Sequence, residues 1–203
     1  DVVDRLIASP HFGERMAVHW LDLVRFADTV GYHGDQEHPI SPYRDWVIQA
    51  FNDNLPFDRF TTEQLAGDLL PDATVKQKIA AGFHRNTLWN SAASGDKEEF
   101  RTLAVKDRVD TTGTTWLGLT LGCAKCHSHK YDPLTHTEYY RMMSFLNNEH
   151  EACITVLSPA ERKERDSVLE RVGEIEDRIQ SAYPDWRERM AARPPGGTSQ
   201  RPA

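Results

Sequence analysis

The sequence predicts an all-α protein. Apolar residues recur at three- and four-residue spacing along nearly the whole chain, and helix-start signals stand before most of those stretches. No segment alternates apolar and polar residues in the way a half-buried strand does.

Phe12, Met16, Trp20, Val24 and Ala27 form the first stripe, which predicts a helix from about Phe12 to Asp28 with Ser9 as cap and Pro10 in the first turn. Tyr43, Trp46, Val47, Ala50 and Phe51 form a second, opened by Ser41-Pro42 and closed by Asn54-Leu55-Pro56. A short third helix is expected from about Thr62 to Leu70, ended by Pro71, and a fourth from about Val75 to Phe83. Asn90-Ser91-Ala92-Ala93-Ser94-Gly95-Asp96 has the small polar residues of a surface connection. From Glu98 the stripe resumes through Leu103, Val105, Val109, Trp116 and Leu119. Thr111, Thr112, Thr114 and Thr115 are poor helix formers, so periodicity alone carries this helix. Thr135-x-x-Glu138 is a capping box that opens a helix bearing Tyr140, Met143 and Leu146. Ser158-Pro159-Ala160-Glu161 opens another, on which Val168, Val172, Ile175, Ile179 and Ala182 keep a seven-residue rhythm between charges. The expected organisation is a helical domain over residues 1–157, an amphipathic charged helix over 158–185 and a disordered tail over 186–203. From Ala191 onward that tail is rich in Pro, Gly, Ser and Arg, a composition that buries no core.

At 203 residues, one domain plus an appendage is expected. Five tryptophans and eight phenylalanines in a 39% hydrophobic chain suffice for one core. No apolar run approaches the roughly 20 residues of a membrane-spanning helix. A net charge of −7 and a pI near 5.7 argue against a nucleic-acid footprint.

The most informative residues are Cys123-Ala124-Lys125-Cys126-His127. Two thiols three positions apart, followed at once by an imidazole, form the attachment site of a c-type haem. Each sulfur can bond a haem vinyl group from one helical turn, and the histidine lies beneath the iron as proximal ligand. A bare C-x-x-C also occurs in zinc sites and thioredoxin-like pairs. Zinc would need two further ligands, for which His129 and His136 are available, but no second C-x-x-C or H-x(3 to 5)-H pair follows at finger-like spacing. A thioredoxin-like pair needs a strand leading into the cysteines, and a helical pattern precedes these. Haem is the favoured reading. The fold expected is then an irregular multi-helix domain around one covalently attached haem c, hung from the end of a helix whose apolar face covers the porphyrin.

Such haem is attached outside the bacterial cytoplasm, so a periplasmic or otherwise exported protein is expected. Asp1-Val2-Val3-Asp4-Arg5 lacks the apolar stretch of a signal peptide, which implies a removed signal or a piece of a longer polypeptide. Three cysteines are too few for a disulfide scaffold. The third, Cys153, reads as a small buried residue or a free thiol.

Several stretches resemble the planctomycete-specific cytochrome-associated domain family, usually found beside true cytochrome c modules in large exported proteins. They are Arg5 to Met16, His19 to Asp28, Tyr43 to Phe51, Pro56 to Pro71, Gly82 to Thr87, Glu98 to Arg101 and Asp107 to Pro133. The last, DRVDTTGTTWLGLTLGCAKCHSHKYDP, is the most specific, and together they cover most of residues 1–150. The resemblance implies an exported redox context, with an adjoining cytochrome domain or a separate redox protein as partner. It implies no settled reaction. One departure is visible: the family's acidic, glycine-rich stretch after the Asn-Thr pair is replaced here by Asn90-Ser91-Ala92-Ala93-Ser94-Gly95.

With haem granted, the sixth iron position becomes the question. Filled by His or Met it suits electron transfer, and vacant it suits peroxide or small-ligand chemistry. His19, on a segment that resembles the family closely, is the first distal candidate and His84 the second; an ordinary hydrogen-bonded histidine is the competing reading of each. Met142 and Met143 can return toward the iron but read better as core. His129 and Lys130 follow His127 too closely to reach the opposite haem face. They are expected at a haem propionate or, through His129, a neighbouring carboxylate. Arg25, Arg85, Arg101 and Arg108 are further propionate partners by charge, or ordinary ion pairs. Glu98, Glu99, Asp107 and Asp110 are the acids that a calcium ion would take, or a solvated helix face. Electron transfer is the expected role, with haem-dependent catalysis and a structural zinc or interaction module as the alternatives.

Overall fold

The computed structural model describes residues 1–31, 35–87, 97–148 and 153–185, so the expected surface connection at 90–96 and the expected tail over 186–203 lie outside the described residues. The chain divides into two units, Asp1–Ala152 and Cys153–Ala203. Among the described residues are eight α-helices and no strand; one isolated bridge joins Thr29 and Glu37.

The first unit begins with α1 (Val2–Ile7), capped by the Asp1 carboxylate, and α2 (His11–Leu23). Ser9 Oγ accepts the His11 N–H, as its place before the stripe suggests. The next orphan donor is served from a distance: Gly13 N–H donates to Asn52 Oδ1 at 2.8 Å, and Asn52 Nδ2 donates to the Pro10 carbonyl at 2.9 Å. Gly13 is also where α2 meets α3 (Ser41–Asn52) most closely, since a Cβ there would overlap the Ile48 carbonyl oxygen.

α2 stops at Leu23, well before Asp28. Arg25 takes a left-handed conformation (φ 60°), its N–H bonds the Asp22 carbonyl, and Phe26 N–H bonds that of Leu21, a Schellman closure without glycine. A non-glycine residue there costs on the order of 1 kcal/mol. The fork of its guanidinium on the Asp107 carboxylate, with Nη2 to Oδ2 at 2.8 Å, ties the end of α2 to α6.

Pro56 opens α4 (Phe57–Ala66), five residues earlier than the apolar spacing suggests, and the chain continues as a 3-10 turn over Gly67–Leu69. Asp58 in the first turn favours that start, and Phe60 anchors it as a buried ring. Thr74 and Gln77 form a capping box on α5 (Val75–Ala80), which tightens into a 3-10 turn over Ala81–Arg85. α6 (Lys97–Thr112) buries Ala104, Val105, Arg108 and Val109 and leaves Leu103 half exposed, so the true stripe is turned from the expected one. Its threonines fit because Thr111, Thr112 and Thr114 return their hydroxyls to the carbonyls of Asp107, Arg108 and Asp110. The helix then widens into a π turn over Gly113–Leu117 and ends at left-handed Gly118. α7 (His136–Leu146) starts at the Thr135–Glu138 capping box, as the sequence predicts. Its buried ring is Tyr139, whereas Tyr140 is exposed.

Two cores result. In the first, Ala17, Val24, Ile40, Tyr43, Val47 and Phe83 are buried beneath a layer of large rings that includes Trp20, Trp46, Phe51 and Trp116. Inside it Gln64, fully buried, accepts from Trp20 Nε1 at 3.0 Å and Tyr43 Oη at 2.6 Å, and donates to the Phe60 carbonyl. Burial pushes the Tyr43 hydroxyl up, so it stays protonated and donating. In the second core, Val109, Leu121, Ala124 and Tyr139 pack with Leu119, Leu134, Met142, Met143 and Leu146.

The second unit holds α8 (Pro159–Ala182), with Ser158 and Glu161 closing the expected capping box. Val168, Val172, Ile175 and Ile179 are exposed along it. Cys153 is an exposed, unpaired thiol rather than a buried one.

The Gln64 triad gives a stability prediction. Gln64→Leu keeps the volume but removes the acceptor of two buried donors, so unfolding free energy should fall by about 1–3 kcal/mol in urea titration. A change within about 0.5 kcal/mol, the range of ordinary surface substitutions, would mean that the triad is not what holds α2, α3 and α4 together.

Candidate functional site

The C-x-x-C-H motif begins on a 3-10 turn, Leu121–Lys125, that follows the left-handed Gly118; Cys126 caps the turn and His127 comes after it. This corrects the expectation of cysteines at the end of the long helix: α6 and its π turn stop first, and the chain reverses. Three residues per turn bring side chains at i and i+3 into line. Leu121 and Ala124 therefore both point inward, 4% and 1% exposed, while Cys123 and Cys126 are both exposed and not joined in a disulfide. The depth of the turn is set by Gly113, where a Cβ would overlap the Leu121 side chain.

His127 follows on the exposed side, and its Nδ1 lies 2.8 Å from the Ser128 carbonyl oxygen. A carbonyl only accepts, so Nδ1 carries the proton and Nε2 keeps its lone pair. His129 has the opposite tautomer. Its Nδ1 accepts the backbone N–H of Asp132 at 2.8 Å and of Tyr131 at 3.3 Å, so the 3.3 Å approach of the Asp132 carboxylate is not an ion pair. With His129 N–H on the Leu134 carbonyl at 2.7 Å, that residue closes its own loop. The Lys130 ammonium lies 5.2 Å from the Tyr131 ring centroid. Tyr140 Oη donates to the Lys125 carbonyl at 3.1 Å and braces the turn from α7.

The remaining candidates are dispersed. His19 is exposed on α2. His84 is buried in the 3-10 turn after α5, with Nε2 3.2 Å from the Leu65 carbonyl oxygen and its ring edge against Phe83. Met142 and Met143 pack in the second core. Of the arginines, Arg25 holds Asp107, Arg101 holds Glu98 and Asn147, and buried Arg108 donates to the His84 carbonyl. The acids named for calcium are therefore engaged separately: Asp107 with Arg25, Glu98 with Arg101, and Asp110 facing Tyr139, while Glu99 is exposed. Among the described residues no three His, Cys, Asp or Glu side chains converge as a metal cage, and that includes the cysteines with His129 and His136.

Asp110 and Tyr139 form a feature that spacing did not single out. Asp110 is half-buried behind the cysteine turn, its Oδ2 3.4 Å from where a Gly122 Cβ would stand. Tyr139 is 3% exposed, and its hydroxyl faces Asp110. Burial pushes the Asp110 carboxyl above the usual range, against the pull of the Lys125 ammonium and the phenol. Burial and the Asp110 charge push the Tyr139 hydroxyl up as well. The signal for Tyr139 was its i, i+3, i+4, i+7 spacing with Met142, Met143 and Leu146, which outweighs the alternative centred on Tyr140.

Fold and site together define an all-helical domain that displays an exposed C-x-x-C-H turn on a packed support. Residues 1–151 match the model of the PSCyt2 family, described as a protein of unknown function (DUF1549), and the chain belongs to that family. The family's name, planctomycete-type and cytochrome-associated, agrees with the resemblance carried by the residues. No curated protein and no solved structure matches the chain.

Asp110 gives a pH prediction. Because its folded value lies above the unfolded one, the native state binds more protons across that interval, and stability falls as pH rises through it. Asp110→Asn removes the penalty. Its urea midpoint relative to wild type should therefore climb from about pH 4 upward and level off once wild-type Asp110 is ionised. A difference that stays constant with pH would contradict the shifted carboxyl.

Proposed function

We propose that this chain is an exported haem c domain that works in electron transfer, holding one haem through thioethers at Cys123 and Cys126 with His127 Nε2 on the iron. The observation that carries this reading is the pair of exposed, unlinked thiols three residues apart at a single turn, next to an imidazole whose hydrogen bond leaves Nε2 as the ligating nitrogen. Those donors suit the group: two sulfurs for the two vinyl carbons and one neutral nitrogen for iron.

When bound, the haem supplies a one-electron couple. The chain supplies position and field. Leu121 and Ala124 anchor the turn in the second core, Tyr140 braces its Lys125 carbonyl, and the Ser128 carbonyl fixes the His127 ring. A hydrogen bond from Nδ1 to a carbonyl also raises the basicity of the ligating nitrogen. Of the two distal candidates, His84 is buried among Phe83, Leu65 and Arg108, and His19 is exposed on α2. Electron transfer is the role that asks least of the remaining residues, with a separate redox protein or an adjoining cytochrome domain as partner.

Expression with a haem-attachment system tests this. Wild type should hold haem through denaturation, Cys123→Ala with Cys126→Ala should release it, and His127→Ala should keep the thioethers but change the spin state. A ferric spectrum indifferent to cyanide fits electron transfer, and one that shifts moves the assignment to catalysis. A colourless protein with stoichiometric zinc replaces the haem reading with a structural metal.

A further inference from the structure

We propose that Asp110 and Tyr139 form a proton-accepting site directly behind the cysteine turn, at which the Asp110 carboxylate takes up a proton when the attached haem takes up an electron. The inference rests on the haem reading above. Position is its first support: Asp110 Oδ2 lies against Gly122, the residue before Cys123. The second is a buried phenol set against the same carboxyl. Tyr139 is 3% exposed, and its hydroxyl faces Asp110. The pair can bond in either state: a protonated Asp110 can donate, and an ionised one accepts from the phenol.

The charges around the carboxyl leave it free to respond. From α6 itself comes Asp107, and from the end of α2 comes Arg25, but these two are locked together in a fork. Lys125 from the cysteine turn favours the ionised carboxylate more strongly than Arg25 does. α7 contributes the phenols of Tyr139 and Tyr140, of which Tyr140 is held by the Lys125 carbonyl. Partial burial already disfavours the ionised carboxylate, so an added negative charge nearby tips it further toward the acid.

The step balances simply. A one-electron donor reduces ferric haem to ferrous and is itself oxidised by one electron, while a solvent proton forms an O–H bond on Asp110; no other bond changes. At an effective dielectric of about 20, one electron added within roughly 10 Å alters a carboxyl's proton affinity about tenfold. For a one-electron couple, tenfold corresponds to about 59 mV.

The test is a spectroelectrochemical titration of haem-loaded protein from about pH 4 to about pH 9, a range that spans the raised carboxyl. In wild type the midpoint potential should fall with rising pH by about 59 mV in total between its acid and alkaline plateaus. Asp110→Asn should be flat over the same interval. Tyr139→Phe should keep the fall but move it to higher pH, because the ionised carboxylate loses the facing O–H. An Asp110→Asn protein with the wild-type slope assigns the proton to a haem propionate and overturns the inference, as does a haem-loaded wild type with no slope. A Tyr139→Phe curve superimposed on wild type also overturns the pairing. Wild type without thioether-bound haem fails at the earlier reading and takes this one with it, a result recognisable from the spectrum alone.

Discussion

α6 is the constraint on which the rest of the first unit depends, because one helix serves both cores. Its Arg108 reaches the His84 carbonyl, and Trp116 in the π turn that follows packs against Trp20 and Phe83 in the first core. Val109, the very next residue after Arg108, is fully buried in the second core against Leu121, Ala124 and Tyr139. Rotation of α6 about its axis would unpack both sides at once. The π turn lets one helix end serve two directions, since an extra residue in the turn re-aims the side chains after it.

The cysteine turn inherits its position from that helix. Gly113 allows Leu121 to approach the π turn, Gly118 reverses the chain, and the 3-10 spacing then separates the inward pair Leu121 and Ala124 from the outward pair Cys123 and Cys126. A site of this kind needs reactive groups outside and rigid support inside. Here the support is apolar packing and a brace from α7, and the same packing leaves one carboxyl half-desolvated behind the thiols. Arg25 shows a related coupling: its left-handed backbone ends α2, while its guanidinium fastens that end to Asp107, three residues before the carboxyl at the site.

Much of the helical framework was legible because its signals are local. Capping boxes at Thr135 and Ser158 fall where the sequence places them, and Asn54-Leu55-Pro56 does close α3. The misses share one cause, a boundary decided by a partner distant in sequence. α2 ends early because Arg25 can hold Asp107, so no glycine announces the stop. Its first turn is capped in part by Asn52, 39 residues from Gly13. α4 starts at Phe57, where Phe60 enters the aromatic layer of the first core. Arg25 and Asp107, named as candidate partners of different ligands or as ordinary charged residues, prove to be engaged with one another across elements, and Arg101 pairs with Glu98 within α6.

Sequence alone determined the all-helical class, most helix starts, and the residue set Cys123, Cys126 and His127, because propensity, capping and covalent spacing act within a few residues of the chain. Tertiary structure decided which of those residues are exposed, which nitrogen of His127 is held by a hydrogen bond, and that Asp110 meets Tyr139 behind the turn. Those outcomes depend on burial and on contacts between segments far apart in the chain. No local pattern encodes them, since the desolvation that alters a carboxyl exists only once the helices around it have packed.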